Sequence, residues 1–169
     1  MSDRARLPHV RTGIGYDVHR FAPKRKLILG GVRIPFKLGL LGHSDADVLS
    51  HAICDALLGA AALGDIGKHF PNTNRAYKNI SSLKLLQAVG RILAVRKFAV
   101  VNIDATLVLQ APRVLKHSAK MRAHLARALG IKVSQVSVKA TTNEHLGFVG
   151  RGEGCAAIAV ATIVKDTKG

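Results

Sequence analysis

Asp17-Val18-His19 and the segment from His43 to His51 constrain the fold of this chain most strongly, because they carry three potential metal ligands on two short elements close in sequence. In a strand, residues i and i+2 share a face, so Asp17 and His19 point a carboxylate and an imidazole into one site while Val18 faces the other way. In a helix starting near Ser44, positions four apart share a face, which groups Asp47, His51 and Asp55. A strand and a helix can therefore close one cluster. Asp17, His19 and His51 then make a three-ligand set suited to zinc, with a fourth tetrahedral position left for water or substrate, as in catalytic and not structural sites. The bland alternative pairs His51 with Asp47 or Asp55 as an ordinary helix histidine.

The carboxylates support a site of this kind. Of the ten in the chain, Asp17, Asp45, Asp47, Asp55 and Asp65 fall in one window and Glu144 and Glu153 in a second. A chain with a net charge of +16 that concentrates its few acids in this way suggests two halves of one site for cations and phosphates. The positive balance also raises a nucleic-acid reading, since Lys and Arg neutralise phosphates regardless of sequence. Against it, the basic residues are spread along the chain and there is no Trp, so a base-stacking platform is poorly supplied. A general positive field serves equally to draw in small polyanionic substrates.

The order of elements reads as α+β. Thr12 to Phe21 is expected as a strand, with Gly13 and Gly15 permitting close backbone approach beside the ligand pair. Residues on either side of Gly30-Gly31 form a hairpin signature, from Lys26 to Ile34. Gly39 to Gly42 reads as a connector, and Ser44 as the N-cap of a buried helix ending near Gly64. A polar loop from Asp65 to Asn74 precedes a helix capped by Ser81 or Ser82. Phe98 to Leu109 is a strand, Lys116 to Leu129 a basic helix closed by Gly130, Val133 to Ala140 a strand delivering Thr141 to Glu144, and Cys155 to Val164 a last strand. The glycines from Gly147 to Gly154 mark a flexible, tightly turned loop. The expected sheet is mixed and four-stranded, with helices on one face and a small hairpin beside it. Its bare face, in a chain rich in apolar residues, calls for sheets of several subunits packed together.

At 169 residues the chain is expected to be a single domain, 1–169, with residues 1–11 as a flexible basic N-terminus. Cys54 and Cys155 are isolated, which fits buried thiols of a reducing compartment. No apolar run reaches the roughly 18 residues of a membrane span, and the N-terminal residues lack the apolar core of a signal peptide. The expected location is a bacterial cytoplasm, with a plastid form as the alternative.

Gly15-Tyr16-Asp17-Val18-His19, His43-Ser44-Asp45-Ala46-Asp47, Asp65-Ile66-Gly67, Gln110-Ala111-Pro112, Lys139-Ala140-Thr141-Thr142 and Gly150-Arg151-Gly152-Glu153-Gly154 occur in an order that resembles the 2-C-methyl-D-erythritol 2,4-cyclodiphosphate synthases, over Gly13 to Val164. The resemblance implies a homotrimer with an active site at each subunit interface. It implies a lyase of the non-mevalonate isoprenoid pathway, in which the 2-phosphate of 4-diphosphocytidyl-2-C-methyl-D-erythritol 2-phosphate attacks the β-phosphorus and expels CMP. Asp17, His19 and His51 would hold zinc with a phosphate oxygen in the fourth position, and Glu144 would hold magnesium or manganese. His43 and Thr142 match catalytic positions that stabilise the transition state, and Ser44 also reaches phosphate. Val18 accompanies the ligand pair. Asp65, Ile66 and Gly67, continued by Phe70, Pro71, Asn72, Thr73 and Asn74, match the loop that holds the methylerythritol moiety. Leu109, Gln110, Ala111, Pro112, Arg113, Val114 and Leu115 would form the cytidine pocket. Thr141, Asn143, Phe148 and Arg151 would complete the substrate surroundings. The sequence departs from the pattern at Arg113, where lysine is usual, at Asn72 and Asn74, where aspartates are common, and at Asn143, which replaces a frequent threonine. No departure touches the metal set.

Overall fold

A computed structural model describes residues 9–165. Its strands are β1 (His9–Ala22), β2 (Leu27–Leu29), β3 (Val32–Ile34), β4 (Gly39–Leu40), β5 (Phe98–Val108), β6 (Val136–Thr141) and β7 (Gly154–Lys165). Its helices are α1 (Val48–Ala60), α2 (Ile66–His69), α3 (Ser82–Val95), α4 (Ser118–Leu129) and α5 (Gly147–Gly150). The main sheet runs β4-β1-β7-β5-β6, mixed because β5 and β6 are parallel while the other pairs are antiparallel, and β2 and β3 form the separate hairpin.

The sheet has five strands where four were expected. The extra one is Gly39–Leu40, read from sequence as a connector: β1 continues to Ala22 and its end pairs with this dipeptide. At its other end β1 begins earlier than expected. His9, Val10 and Arg11, assigned to a flexible N-terminus, pair with Lys165, Val164 and Ile163 of β7. The remainder of that expected terminus, residues 1–8, lies outside the described residues.

All three long helices pack on one face, α1 across β1 and β7, α3 against β5 and α4 against β6. Leu49, Ile53, Leu57, Leu86, Leu93, Leu107 and Met121 are fully buried between the layers. The helix over β1 comes exceptionally close. A Cβ on Gly13 would strike the backbone of Ala56 and Ala60, and one on Gly15 that of Ala52 and Ala56, so glycine in the strand and alanine in the helix let the two backbones meet.

Among the described residues, nothing covers the other face of the sheet. Ile14 and Tyr16 of β1 are 71% and 54% exposed, and Ile158 and Val160 of β7 beside them are 40% and 37% exposed. A contiguous apolar sheet face of this kind is a place for another protein surface.

Helix starts differ from the sequence reading for a physical reason. Asp47, not Ser44, caps α1, its side chain accepting from the Ser50 amide at 3.2 Å. It is wholly buried and also accepts from the Gly30 and Gly31 amides, at 2.8 and 2.7 Å, so one carboxylate ties the hairpin turn to the helix start. Burial and the Asp45 charge raise the Asp47 carboxyl, against the pull of these amides and Ser50. The basic helix begins at Ser118 after a 3-10 turn over Leu115–His117, and Val133–Gln135 is likewise a 3-10 turn before β6. The glycine-rich stretch expected as a flexible loop contains the single helical turn α5.

Candidate active site

Asp17 and His19 project from the face of β1 that meets α1, and the Gly15 contact brings His51 from the first turns of that helix against them. The Asp17 Oδ2 atom is 2.9 Å from His51 Nδ1 and 3.1 Å from His19 Nε2, and the two ring nitrogens are 3.1 Å apart. These are the donor atoms of a metal-ligating trio, the only such group among the described residues. The edge of a tetrahedron with bonds of about 2.0–2.1 Å is about 3.3 Å, so the triangle fits a zinc ion with little adjustment.

Each imidazole is held through its other nitrogen. His19 Nδ1 donates to the Leu41 carbonyl at 2.8 Å, leaving Nε2 free to bind. His51 Nε2 faces Ser82 Oγ at 2.9 Å and Ser44 Oγ at 3.1 Å. Outer contacts of this type set ring orientation in metal sites.

Burial alone would push the Asp17 carboxyl up, but hydrogen bonds and charge from His19 and His51 outweigh it and hold the group well below the usual carboxylate range. Burial would lower His19; the hydrogen bond and charge of Asp17, with the Leu41 carbonyl, raise it instead. Without a metal, Asp17 and His19 thus form a hydrogen-bonded pair beside His51.

The trio lies at the wall of a cleft of about 360 Å³. His43, Ser44, Ile66, Gly67, Phe70 and Asn72 line it, as the sequence leads one to expect. Leu41, Gly42, Tyr77 and Leu85 line it too and were missed, because apolar and glycine positions carry no chemical signal in sequence and a lone tyrosine beyond the loop carries little. Asp55 joins this cleft but not the metal set. Its Oδ1 accepts from the Ile66 amide at 2.7 Å, anchoring the loop, and burial raises its carboxyl. Asp65 caps α2 by accepting from Lys68 N at 2.9 Å, and Asn74 caps the next turn through Ala76 N at 3.0 Å. Pro71 and Thr73 are exposed on the same loop.

A second group sits at the far edge of the sheet. Leu109, Gln110, Pro112, Arg113, Val114 and Leu115 border a hollow of about 400 Å³ that also takes in Thr141 and Thr142. Ala111, between them, is exposed. Beyond it the chain turns sharply: Glu144 and His145 both have positive φ, 48° and 62°, and Thr142 Oγ1 donates to Glu144 Oε1 at 2.6 Å. Asn143, uninterpretable from sequence, closes this turn by donating from Nδ2 to the Leu146 carbonyl at 2.8 Å. Phe148 lines a third hollow with Val18, Arg20 and Glu153 that shares His19 and Leu41 with the first cleft, and Arg151 pairs with Glu153 at 2.6 Å.

The two groups share one end of the sheet. Val18 pairs with Ala156, Ala156 with Val108 and Val108 with Thr141, so the metal trio and the Thr142–Glu144 turn flank a single row of residues. Three strand spacings separate β1 from β6, about 14 Å. Within one chain the two groups are thus separate, one rich in metal donors and one with a hollow of about 400 Å³ and a lone carboxylate.

The YgbB family profile matches residues 10–164. The 2-C-methyl-D-erythritol 2,4-cyclodiphosphate synthase of Alkaliphilus metalliredigens is 61% identical over 154 residues, 91% of this chain and 97% of that protein. The synthase of the same name from Desulforamulus reducens is 58% identical over 91% of this chain and 98% of its own length. Among solved structures, the bifunctional IspDF of Campylobacter jejuni superposes with a TM-score of 0.91 at 39% identity, over 95% of this chain but 43% of that larger protein. The IspF of Plasmodium falciparum, in complex with CDP, superposes with a TM-score of 0.82 at 29% identity, over 95% of this chain and 99% of that one.

Proposed function

The chain belongs to the YgbB family, and on that premise we propose that it converts 4-diphosphocytidyl-2-C-methyl-D-erythritol 2-phosphate to 2-C-methyl-D-erythritol 2,4-cyclodiphosphate and CMP. Two relatives, at 61% and 58% identity over nearly their whole length, are 2-C-methyl-D-erythritol 2,4-cyclodiphosphate synthases, which supports this reading. The observation in the molecule itself that supports it best is the pairing of half-sites along one sheet row, a metal trio beside a polar cleft and a hollow beside Glu144.

In this reading Asp17, His19 and His51 would hold zinc, and Glu144 would hold magnesium or manganese, hard cations that suit a carboxylate. When bound, the ions would supply Lewis acidity and a template for the diphosphate. The 2-phosphate oxygen forms a bond to the β-phosphorus while the bond from that phosphorus to the CMP oxygen breaks, so CMP leaves with the electron pair. The protein's part is orientation and charge placement, without a covalent intermediate. His43, at the mouth of the cleft, and the Thr142 hydroxyl steer the phosphates, with Ser44 beside His43. The Asp65–Asn74 loop holds the methylerythritol hydroxyls, and the hollow from Leu109 to Leu115 receives cytidine.

The half-sites are best completed by a neighbouring copy. The bare face with Ile14, Tyr16, Ile158 and Val160 supports a homotrimer whose sheets pack together, placing one chain's trio near another's cytidine hollow. Two buried, unpaired thiols, Cys54 and Cys155, suit a reducing cytoplasm.

CMP release from the substrate, measured with and without chelator, tests this reading. Release should stop with chelation and return when zinc and magnesium are restored. Release indifferent to chelators contradicts it, as does salt-sensitive binding of arbitrary polyanions with no turnover.

A further inference from the structure

We propose that Ser82 and Asp45 are positioning residues for His51, fixing which ring nitrogen faces the metal site; this rests on the metal reading of Asp17, His19 and His51. Ser82 opens α3 and is wholly buried, far in sequence from the ligands. Its Oγ lies 2.9 Å from His51 Nε2. The same hydroxyl makes a short hydrogen bond to Asp45 Oδ1, and the Ser82 amide donates to the same carboxylate at 3.1 Å.

Donor and acceptor rules make this chain directional. A carboxylate accepts only, so the single Ser82 hydroxyl hydrogen is committed to Asp45, and Oγ turns a lone pair toward His51. The His51 hydrogen then belongs on Nε2, and the Nδ1 lone pair points at Asp17 and His19. A ring that gives Nδ1 to a metal must carry its hydrogen on Nε2, and a buried N–H needs an acceptor. Ser44 Oγ is the lesser partner: it lies farther from Nε2, at 3.1 Å, accepts from the Ala46 amide, and has Ser82 Oγ at 3.3 Å to take its own hydrogen. Asp45 also caps α3 from outside, since the N-cap residue Ser81 makes no side-chain cap bond. One carboxylate thus fixes both the start of α3 and the serine that holds the ligand.

A purely structural role for these residues predicts altered stability with unaltered metal affinity. Ser82→Ala separates the two, because it keeps the backbone amide on Asp45 and deletes the hydroxyl that links this carboxylate to His51. The readout is the zinc dissociation constant of the full-length protein, measured by competition with a chromophoric chelator. Ser82→Ala should weaken zinc binding about 10–100-fold, the usual effect of removing an outer partner, while the metal-free protein still unfolds cooperatively. Asp45→Ala should weaken it as well, and the double variant should lose no more than Ser82→Ala alone, because Asp45 acts through Ser82. If Ser82→Ala does not fold, Asp45→Ala carries the test on the same readout. A folded Ser82→Ala that binds zinc within about twofold of the unaltered chain overturns the proposal, and losses that multiply in the double variant overturn the part assigned to Asp45. An unaltered chain that binds no zinc overturns the metal reading itself, so the two failures are distinguishable.

Discussion

Gly15 of β1 and Ala52 of α1 stand backbone to backbone, so that a Cβ on Gly15 would meet the Ala52 carbonyl oxygen. Ala52 follows His51 directly, and Gly15 lies two residues before Asp17 on the same face of the strand. The contact therefore sets the distance between the helix ligand and the strand ligands, and packing and chemistry converge on one pair of small residues.

Replacing Gly15 by Ala should force the helix away from the strand. Overpacking of this kind costs about 1–3 kcal/mol or more, visible as a lower melting temperature. It should also weaken zinc binding, because His51 moves with α1. A variant with unchanged stability and zinc affinity contradicts the account of this contact.

His51→Ala should abolish stoichiometric zinc, read by metal analysis of the purified protein, and CMP release with it. Two donors, Asp17 and His19, remain within 3.1 Å of each other, too few for a tight catalytic zinc site. Zinc retained at full stoichiometry contradicts the ligand assignment.

The pH dependence of the metal-free protein follows from opposite shifts. Asp17 is lowered, so its contribution is present above the ordinary 3.8 and is lost as pH falls through its depressed folded value. His19 is raised, so its contribution is fully present below 6.5 and is lost as pH rises through its higher folded value. The stability difference between the unaltered metal-free chain and Asp17→Asn should accordingly be greatest between pH 3.8 and 6.5 and shrink on either side. Denaturant titrations across pH check this, and a difference independent of pH contradicts it.

Glu144→Gln acts on the other half-site. It should lower CMP release on the order of a hundredfold, as loss of a group stabilising transition-state charge does, while zinc content stays at the unaltered level. Loss of zinc in this variant would place Glu144 in the wrong half-site.

A charge on the bare sheet face should undo assembly. Val160→Asp is expected to yield monomers by light scattering, with turnover lost and zinc binding largely kept, since the trio lies within one chain. An unaltered chain that is itself monomeric and active contradicts the shared-site reading.

The sequence made the metal trio legible because strand and helix periods convert spacing directly into shared faces. Asp17 and His19 need only alternation, and His51 needs only a helix against that strand, which Gly13 and Gly15 announce. The supports of the trio were not legible in the same way. The Leu41 carbonyl, Ser82 and Asp45 reach the ligands across folds of the chain that no local period encodes. Asp47 shows the limit from the other side: four residues before His51, it shares the ligand face on paper, yet it caps α1 and binds the Gly30 and Gly31 amides. The two-residue strand Gly39–Leu40 escaped notice because it has no pattern of its own and exists by pairing with the end of β1. Asn143 gained a meaning only when the turn it closes was seen.

The central claim is that the substrate's own 2-phosphate, and not water, attacks the β-phosphorus, and the products of a single turnover test it most directly. Phosphorus NMR of the quenched reaction should show CMP and the cyclic diphosphate in equal amounts. A linear phosphorylated methylerythritol beside CMP, with no ring, would show that water is the nucleophile and contradict the account.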